Sequence, residues 1–156
     1  MKKCISLFLD FDGVLTGMRG SMFDKMDLFL DWYLNTNDVD IVISSSWKHS
    51  FSIPELESFF TRKIKIVGKT PDINDGVDRW LEIEQYINDN AIEHFFILDD
   101  NPYIFNKIPE SVKENNIYYT DSNIGLTTSD VIQISHKINL IRNKIHHGLN
   151  DNFELN

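Results

Sequence analysis

Apolar residues along the chain fall into two alternating rhythms. CISLFL (4–9) and HFFIL (94–98) are nearly unbroken apolar runs, as expected of strands buried on both faces. VDIVIS (39–44) is another strand of this kind, KIKIVG (63–68) alternates, and IYYT (117–120) is a short last strand. Between them the period changes. SMFDKMDLFLDWYL (21–34) places Met22, Phe23, Met26, Phe29, Leu30, Tyr33 and Leu34 at helical spacing. SIPELESFF (52–60) reads as a short helix with Pro54 in its first turn. DGVDRWLEIEQYINDN (75–90) has a broad apolar face of Val77, Trp80, Leu81, Ile83, Tyr86 and Ile87. A loop and a weak helix cover 103–115. TSDVIQISHKINLIRNKI (128–145) closes the chain as a helix with Val131, Ile134, Ile138, Ile141 and Ile145 on one side.

Strands and helices thus alternate throughout. That order predicts an α/β fold, a Rossmann-like three-layer α/β/α sandwich around a mostly parallel five-stranded sheet. The length suits one domain, expected over 1–147, with a polar tail at 148–156.

Composition narrows the setting. Cys4 is the only cysteine, so there is no internal disulfide and no thiolate-rich zinc site; the cytosol is the expected compartment. It lies in the first predicted strand, where a buried, inert thiol is expected. The opening MKKCISLFLDF has two lysines before apolar residues, but the run stops at Asp10, too early for a signal core or a membrane span. The net charge is −9, which argues against a protein that grips long nucleic acid along a basic stripe. The short basic stretch TRKIKIVGK (61–69) reads as a strand edge guarded by lysines. His49, His94, His136, His146 and His147 show no metal-ligand spacing.

In a parallel sheet, ligands bind beyond the carboxyl ends of the strands. There the chain places Asp10 and Asp12, then Ser44, Ser45, Ser46, Trp47 and Lys48, then Asp99 and Asp100, then Thr120 and Asp121. Four convergent carboxylates would repel one another, and a hard divalent cation such as magnesium (Mg2+) relieves that. Phosphoryl transfer needs this equipment: a nucleophile, charge neutralisation, donors for phosphoryl oxygens and an acid/base. Simpler structural readings exist for several of these residues. DDNP also reads as a turn. The serines could cap a helix. Trp47 could only pack. Arg79 could pair along its own helix with Asp75 or Glu82.

The set also carries a resemblance. DFDG after an apolar strand, a serine closing IVIS and ILDD closing a later strand resemble the haloacid dehalogenase (HAD) superfamily of phosphohydrolases. Its DxDx[TV] signature is matched by Asp10-Phe11-Asp12-Gly13-Val14. The ordered set LDFDGVL, ISSSWK, GKTP, RWLEI, ILDD and GLT is similar to the small HAD domains of Swiss Army Knife RNA repair proteins, over roughly residues 5–128. The resemblance implies that Asp10 is the nucleophile and Asp12 the acid/base. It implies magnesium held by Asp10, the main-chain carbonyl of Asp12, and Asp99 or Asp100. Ser44, with Ser45 as the near alternative, would bind a phosphoryl oxygen. Three cations compete to neutralise the phosphoryl group. Arg79 stands where the superfamily places this residue, at the start of the helix before FFILDD, with Lys69 and Lys48 as rivals. Many relatives have arginine where Lys48 stands, which makes Lys48, beside Trp47, a substrate-binding candidate.

The same resemblance implies a capless enzyme, since neither usual insertion point has room for a domain. The open site would be edged by a small flap at 14–23 that bends at Gly17 and Gly20, with Arg19 touching the substrate. An open site suits a bulky substrate such as a nucleic-acid end or a phosphoprotein, or else a partner chain that supplies the lid; the substrate class expected is a phosphomonoester, with a nucleotide or nucleic-acid end as its phosphate carrier. The expectation is therefore a magnesium-dependent phosphatase working through an aspartyl-phosphate. The rival is a non-catalytic binding or regulatory domain on the same fold. A phosphoacceptor receiver domain is excluded, because the third strand ends in IVGKT with no acceptor aspartate.

Overall fold

The computed structural model describes residues 4–17, 22–73 and 77–148. Five strands, β1 (Ile5–Leu9), β2 (Val39–Ile43), β3 (Ile66–Lys69), β4 (Phe95–Asp99) and β5 (Ile117–Tyr119), form one parallel sheet in the order β3-β2-β1-β4-β5. The helices are α1 (Met22–Leu34), α2 (Ile53–Ser58), α3 (Arg79–Asp89), α4 (Glu110–Asn115) and α5 (Thr128–His146).

Side-chain alternation along each strand divides the core into two layers. On one face Ile5, Leu7, Leu9, Ile41, Ile43, Phe96 and Leu98 meet Met26, Phe29 and Leu30 of α1 and Ile134, Ile138 and Ile141 of α5. On the other, Phe8, Val42, Phe95 and Ile97 meet Trp80, Ile83 and Ile87 of α3 and Val112 of α4. Both faces of the central strands are therefore dry, as their apolar runs require.

The order of the sheet locates the site. From β1 the chain builds outward through β2 and β3, then returns to the far side of β1 for β4 and β5. The direction reverses between β1 and β4, which opens a crevice beyond their carboxyl ends. The ladder runs one residue past four of the five strands. Asp10 N–H donates to Leu98 O (3.0 Å), Ser44 N–H to Leu9 O (3.1 Å), Thr70 N–H to Ile43 O (3.0 Å) and Thr120 N–H to Asp99 O (2.9 Å). Four polar residues are thus held by backbone hydrogen bonds along one rim.

Several elements differ from the sequence reading. The third strand starts at Ile66, not Lys63, because the Glu57 carboxylate holds the Ile66 N–H (3.0 Å) and the pairing with β2 slips between Ile41 and Val42. Pro109 splits the expected helix at 103–115 into a 3-10 turn, Pro102–Ile104, and α4. α3 starts at Arg79, where Asp78 caps the Trp80 N–H; Asp75 lies outside the described residues. Cys4 precedes β1 and is exposed, not buried. Of the expected flap, Val14 and Leu15 are fully buried, and Val14 O accepts from Leu126 N–H (2.7 Å), so its first half is core. Arg19 and Gly20 lie outside the described residues, as does the tail from 149.

Candidate active site

Asp10, Asp99 and Asp100 bring carboxylate oxygens within 4.8 Å of one another. Asp10 and Asp99 are buried, at 3 % and 0 % exposure. One cation reaches into this group. Arg79 Nη1 donates to Asp99 Oδ2 at 2.6 Å and lies 3.2 Å from Asp10 Oδ1. The other oxygen of Asp99 accepts from Asp100 N–H (2.8 Å) and Asn101 N–H (3.0 Å). Asp99 is thus held by three donors, whereas the Asp100 side chain is hydrogen-bonded to Asp10 within the group.

One arginine against three carboxylates leaves an excess of negative charge. Burial, then the Asp99 charge, pushes the Asp10 carboxyl up to about 8, with Arg79 pulling the other way. Burial also raises Asp99, again against Arg79. Burial disfavours the Arg79 charge, but Asp99 and Asp10 outweigh it and hold the guanidinium charged. An all-oxygen donor set with uncompensated charge fits a hard divalent cation.

Gly13 makes the approach of Asp100 feasible. Its φ is +76°, and a Cβ there would lie 2.0 Å from Asp100 Oδ2. Thr120 Oγ1 donates to Gly13 O at 2.6 Å and pins the turn. Gly13→Ala is expected to cost about 1–2 kcal/mol from the backbone conformation alone. It should also push Asp100 out of the group, so the variant should lose stability in urea and most of any magnesium-dependent rise in melting temperature.

Among the serines, Ser44 and Ser45 have separate roles. Both are buried. Ser45 Oγ accepts from Trp47 N–H (3.2 Å) and caps the 3-10 turn Ser46–His49. Ser44 Oγ has no hydrogen-bond partner among the described residues. A buried hydroxyl without a partner is a fold liability that a phosphoryl oxygen would relieve. Ser44→Ala is expected to leave the melting temperature unchanged or raise it, while lowering kcat/KM by about a hundredfold in a phosphate-release assay. A drop in stability together with unchanged turnover would make Ser44 structural.

The remaining candidates lie outside the carboxylate group. Lys48 is no substrate-facing cation: its Nζ is buried against Glu82 Oε2 (3.1 Å), Thr70 Oγ1 (3.0 Å) and Pro71 O (3.1 Å). Lys69 Nζ donates to Lys48 O (3.0 Å) and Phe51 O (2.6 Å), which takes it away from the carboxylates. Trp47 stacks on Phe11 (ring centroids 4.8 Å apart) and packs on Phe51 and Phe59, so it is half-buried packing rather than a platform for substrate. Asp12 is exposed in the turn after β1 and lies outside the carboxylate group. The sequence alone gives Thr70 no role, offers Thr120 only as a strand end, and offers Glu82 as a partner for Arg79 rather than Lys48.

A surface groove of about 500 Å3, bordered by Glu57, Phe60, Arg62 and Lys65, lies before β3 and holds none of these carboxylates. No helix among the described residues is long and apolar enough to cross a membrane.

No curated protein and no solved structure matches the chain. A family model does, over residues 6–131, which span every strand of the sheet but Ile5 and all the residues of the carboxylate group. By that match the chain belongs to the family described as the HAD domain in Swiss Army Knife RNA repair proteins.

Proposed function

We propose that the protein is a single capless domain that hydrolyses a phosphomonoester, depends on magnesium and works through an aspartyl-phosphate. HAD family membership supports a phosphatase-like role in general. The observation that carries the finer reading is the meeting of Asp10, Asp99 and Asp100 around Arg79 at the point where the sheet reverses direction.

The chemistry follows from what each residue can do. An Asp10 carboxylate oxygen attacks phosphorus. As the bond to the leaving oxygen breaks, Asp12 gives that oxygen its proton. Asp12, now a carboxylate, takes a proton from water. The water oxygen attacks phosphorus, the bond to Asp10 breaks, and inorganic phosphate departs. Arg79 and Ser44 meet charge on the phosphoryl oxygens. Asp10, Asp99 and Asp100 have the oxygens that would hold magnesium, and Asp99 also accepts from Arg79 and two backbone N–H groups. When bound, magnesium would supply charge neutralisation at the phosphoryl group. Asp12 is suited to its task by exposure, since it must exchange protons with both leaving group and water.

The substrate class we favour is a nucleotide or nucleic-acid end. The family's RNA repair setting supports it. A terminal phosphate also needs only local contacts, which the net charge of −9 does not forbid. The test is phosphate release from an aryl phosphate and from 5′- and 3′-phosphorylated oligonucleotides, with magnesium or with EDTA. Turnover should need magnesium, vanish in Asp10→Asn and favour an oligonucleotide end. A folded protein that gains stability from magnesium yet turns over none of these would instead be a binding module.

A further inference from the structure

Two lysines that the sequence offers as phosphoryl-binding cations are both spent on contacts within the fold. Lys69 Nζ holds the carbonyls of Lys48 and Phe51. Lys48 in turn reaches across the ends of β2 and β3 to Glu82. The Lys48 and Glu82 side chains are each only 4 % exposed. Burying such a pair is costly and is offset only when the remaining hydrogen bonds are made. Here they are. The ammonium has three acceptors, and Glu82 Oε2 also accepts from Ile73 N–H at 3.0 Å.

What the pair joins is specific. Lys48 belongs to the turn that follows Ser44, and its N–H donates to Ser45 O (3.1 Å). Thr70 is hydrogen-bonded to the end of β2. Glu82 lies in the first turn of α3, three residues after Arg79. We infer that Lys48 and Glu82 are positioning residues, which anchor the first turn of α3 so that one Arg79 nitrogen lies within reach of both Asp10 and Asp99. This inference rests on the phosphatase reading of the site for its turnover readout, but it has a second readout that does not.

The test is a cycle of variants that combines the buried pair with Arg79. Lys48→Met/Glu82→Leu removes both charges while keeping apolar volume, a replacement that buried pairs often tolerate. In the wild-type background it should lower kcat by about tenfold, and in an Arg79→Ala background by no more than about twofold, because the residue it positions is already gone. The magnesium midpoint of the thermal shift should follow the same rule, moving in the direction that Arg79→Ala moves it and no further when the two are combined. Equal losses in both backgrounds, or no loss in either, would overturn the inference and leave the pair as part of the fold. If the double variant does not fold, Glu82→Asp, which keeps both charges and shortens one arm, takes its place in the cycle. If the wild type releases no phosphate, the phosphatase reading fails, and the magnesium midpoints alone decide the role of the pair.

Discussion

Asp10→Asn should abolish phosphate release and yet yield a more stable protein. Loss of the proposed nucleophile is expected to lower kcat by on the order of 10^4-fold or more. The gain in stability follows from where the carboxyl sits. Buried beside Asp99 and Asp100, Asp10 keeps its proton up to about pH 8 in the metal-free fold, against an ordinary 3.8. The folded state therefore binds a proton that the unfolded chain has already released. Stability from this group is full below about pH 4 and is lost as pH rises through about 8, by up to about 1.4 kcal/mol per pH unit. An amide cannot ionise. It can offer oxygen to Arg79 and N–H to Asp100. In EDTA the variant's advantage in melting temperature should open above about pH 4 and be complete above about pH 8. Magnesium should narrow or reverse that advantage by stabilising only the wild type. A variant less stable than wild type in EDTA at pH 8 would refute this account of the site.

Arg79→Ala should lose both activity and stability. Removing a donor to developing phosphoryl charge costs about 10^2–10^3-fold in kcat. Arg79 is also the cation within the carboxylate group, with its side chain only 15 % exposed. Breaking a buried pair by deleting one partner costs about 3–5 kcal/mol, a loss reduced here because Asp10 can retain a proton. Denaturant melts at pH 6 and pH 9 should show the larger loss at pH 9. The geometry adds a second expectation. Both contacts are made by a single nitrogen, Nη1, not by the fork of the guanidinium. A lysine ammonium could make both, so Arg79→Lys should keep far more activity than Arg79→Ala. If Arg79→Ala turns over at the wild-type rate, the assignment of the cation is wrong.

The sequence made the sheet legible because strands buried on both faces, such as Ile5–Leu9 and Phe95–Asp99, must be apolar at nearly every position. Asp10 and Asp99 were legible for the complementary reason, as acids that abruptly end such runs. Register was not legible. The alternation at Lys63–Lys65 looks like a strand, but a carboxylate nine residues before Ile66 and a slip in pairing decide where β3 begins. The burial of Lys48 is not legible because a lysine is solvent-exposed by default, and the partner that buries it lies on another element. Trp47 is ambiguous in the sequence because Phe11, which stacks on it, lies on another strand end. Cys4 stood at a strand end, where a shift of one residue separates buried from exposed.

The central place of β1 also orders events in time. Its two neighbours come from distant parts of the chain: β2 begins at Val39, but β4 begins only at Phe95. A nascent chain that has emerged only through α3 has one edge of β1 unpaired, and such an edge is a template for association with other chains. The carboxylates separate in the same way. Asp10 is made early, Arg79 follows, and Asp99 and Asp100 arrive last. The repulsive charge of the site is therefore assembled only as the sheet closes. Pairing of β4 must supply enough stability to draw those charges together, so this step is expected to weaken as pH rises and the carboxylates ionise.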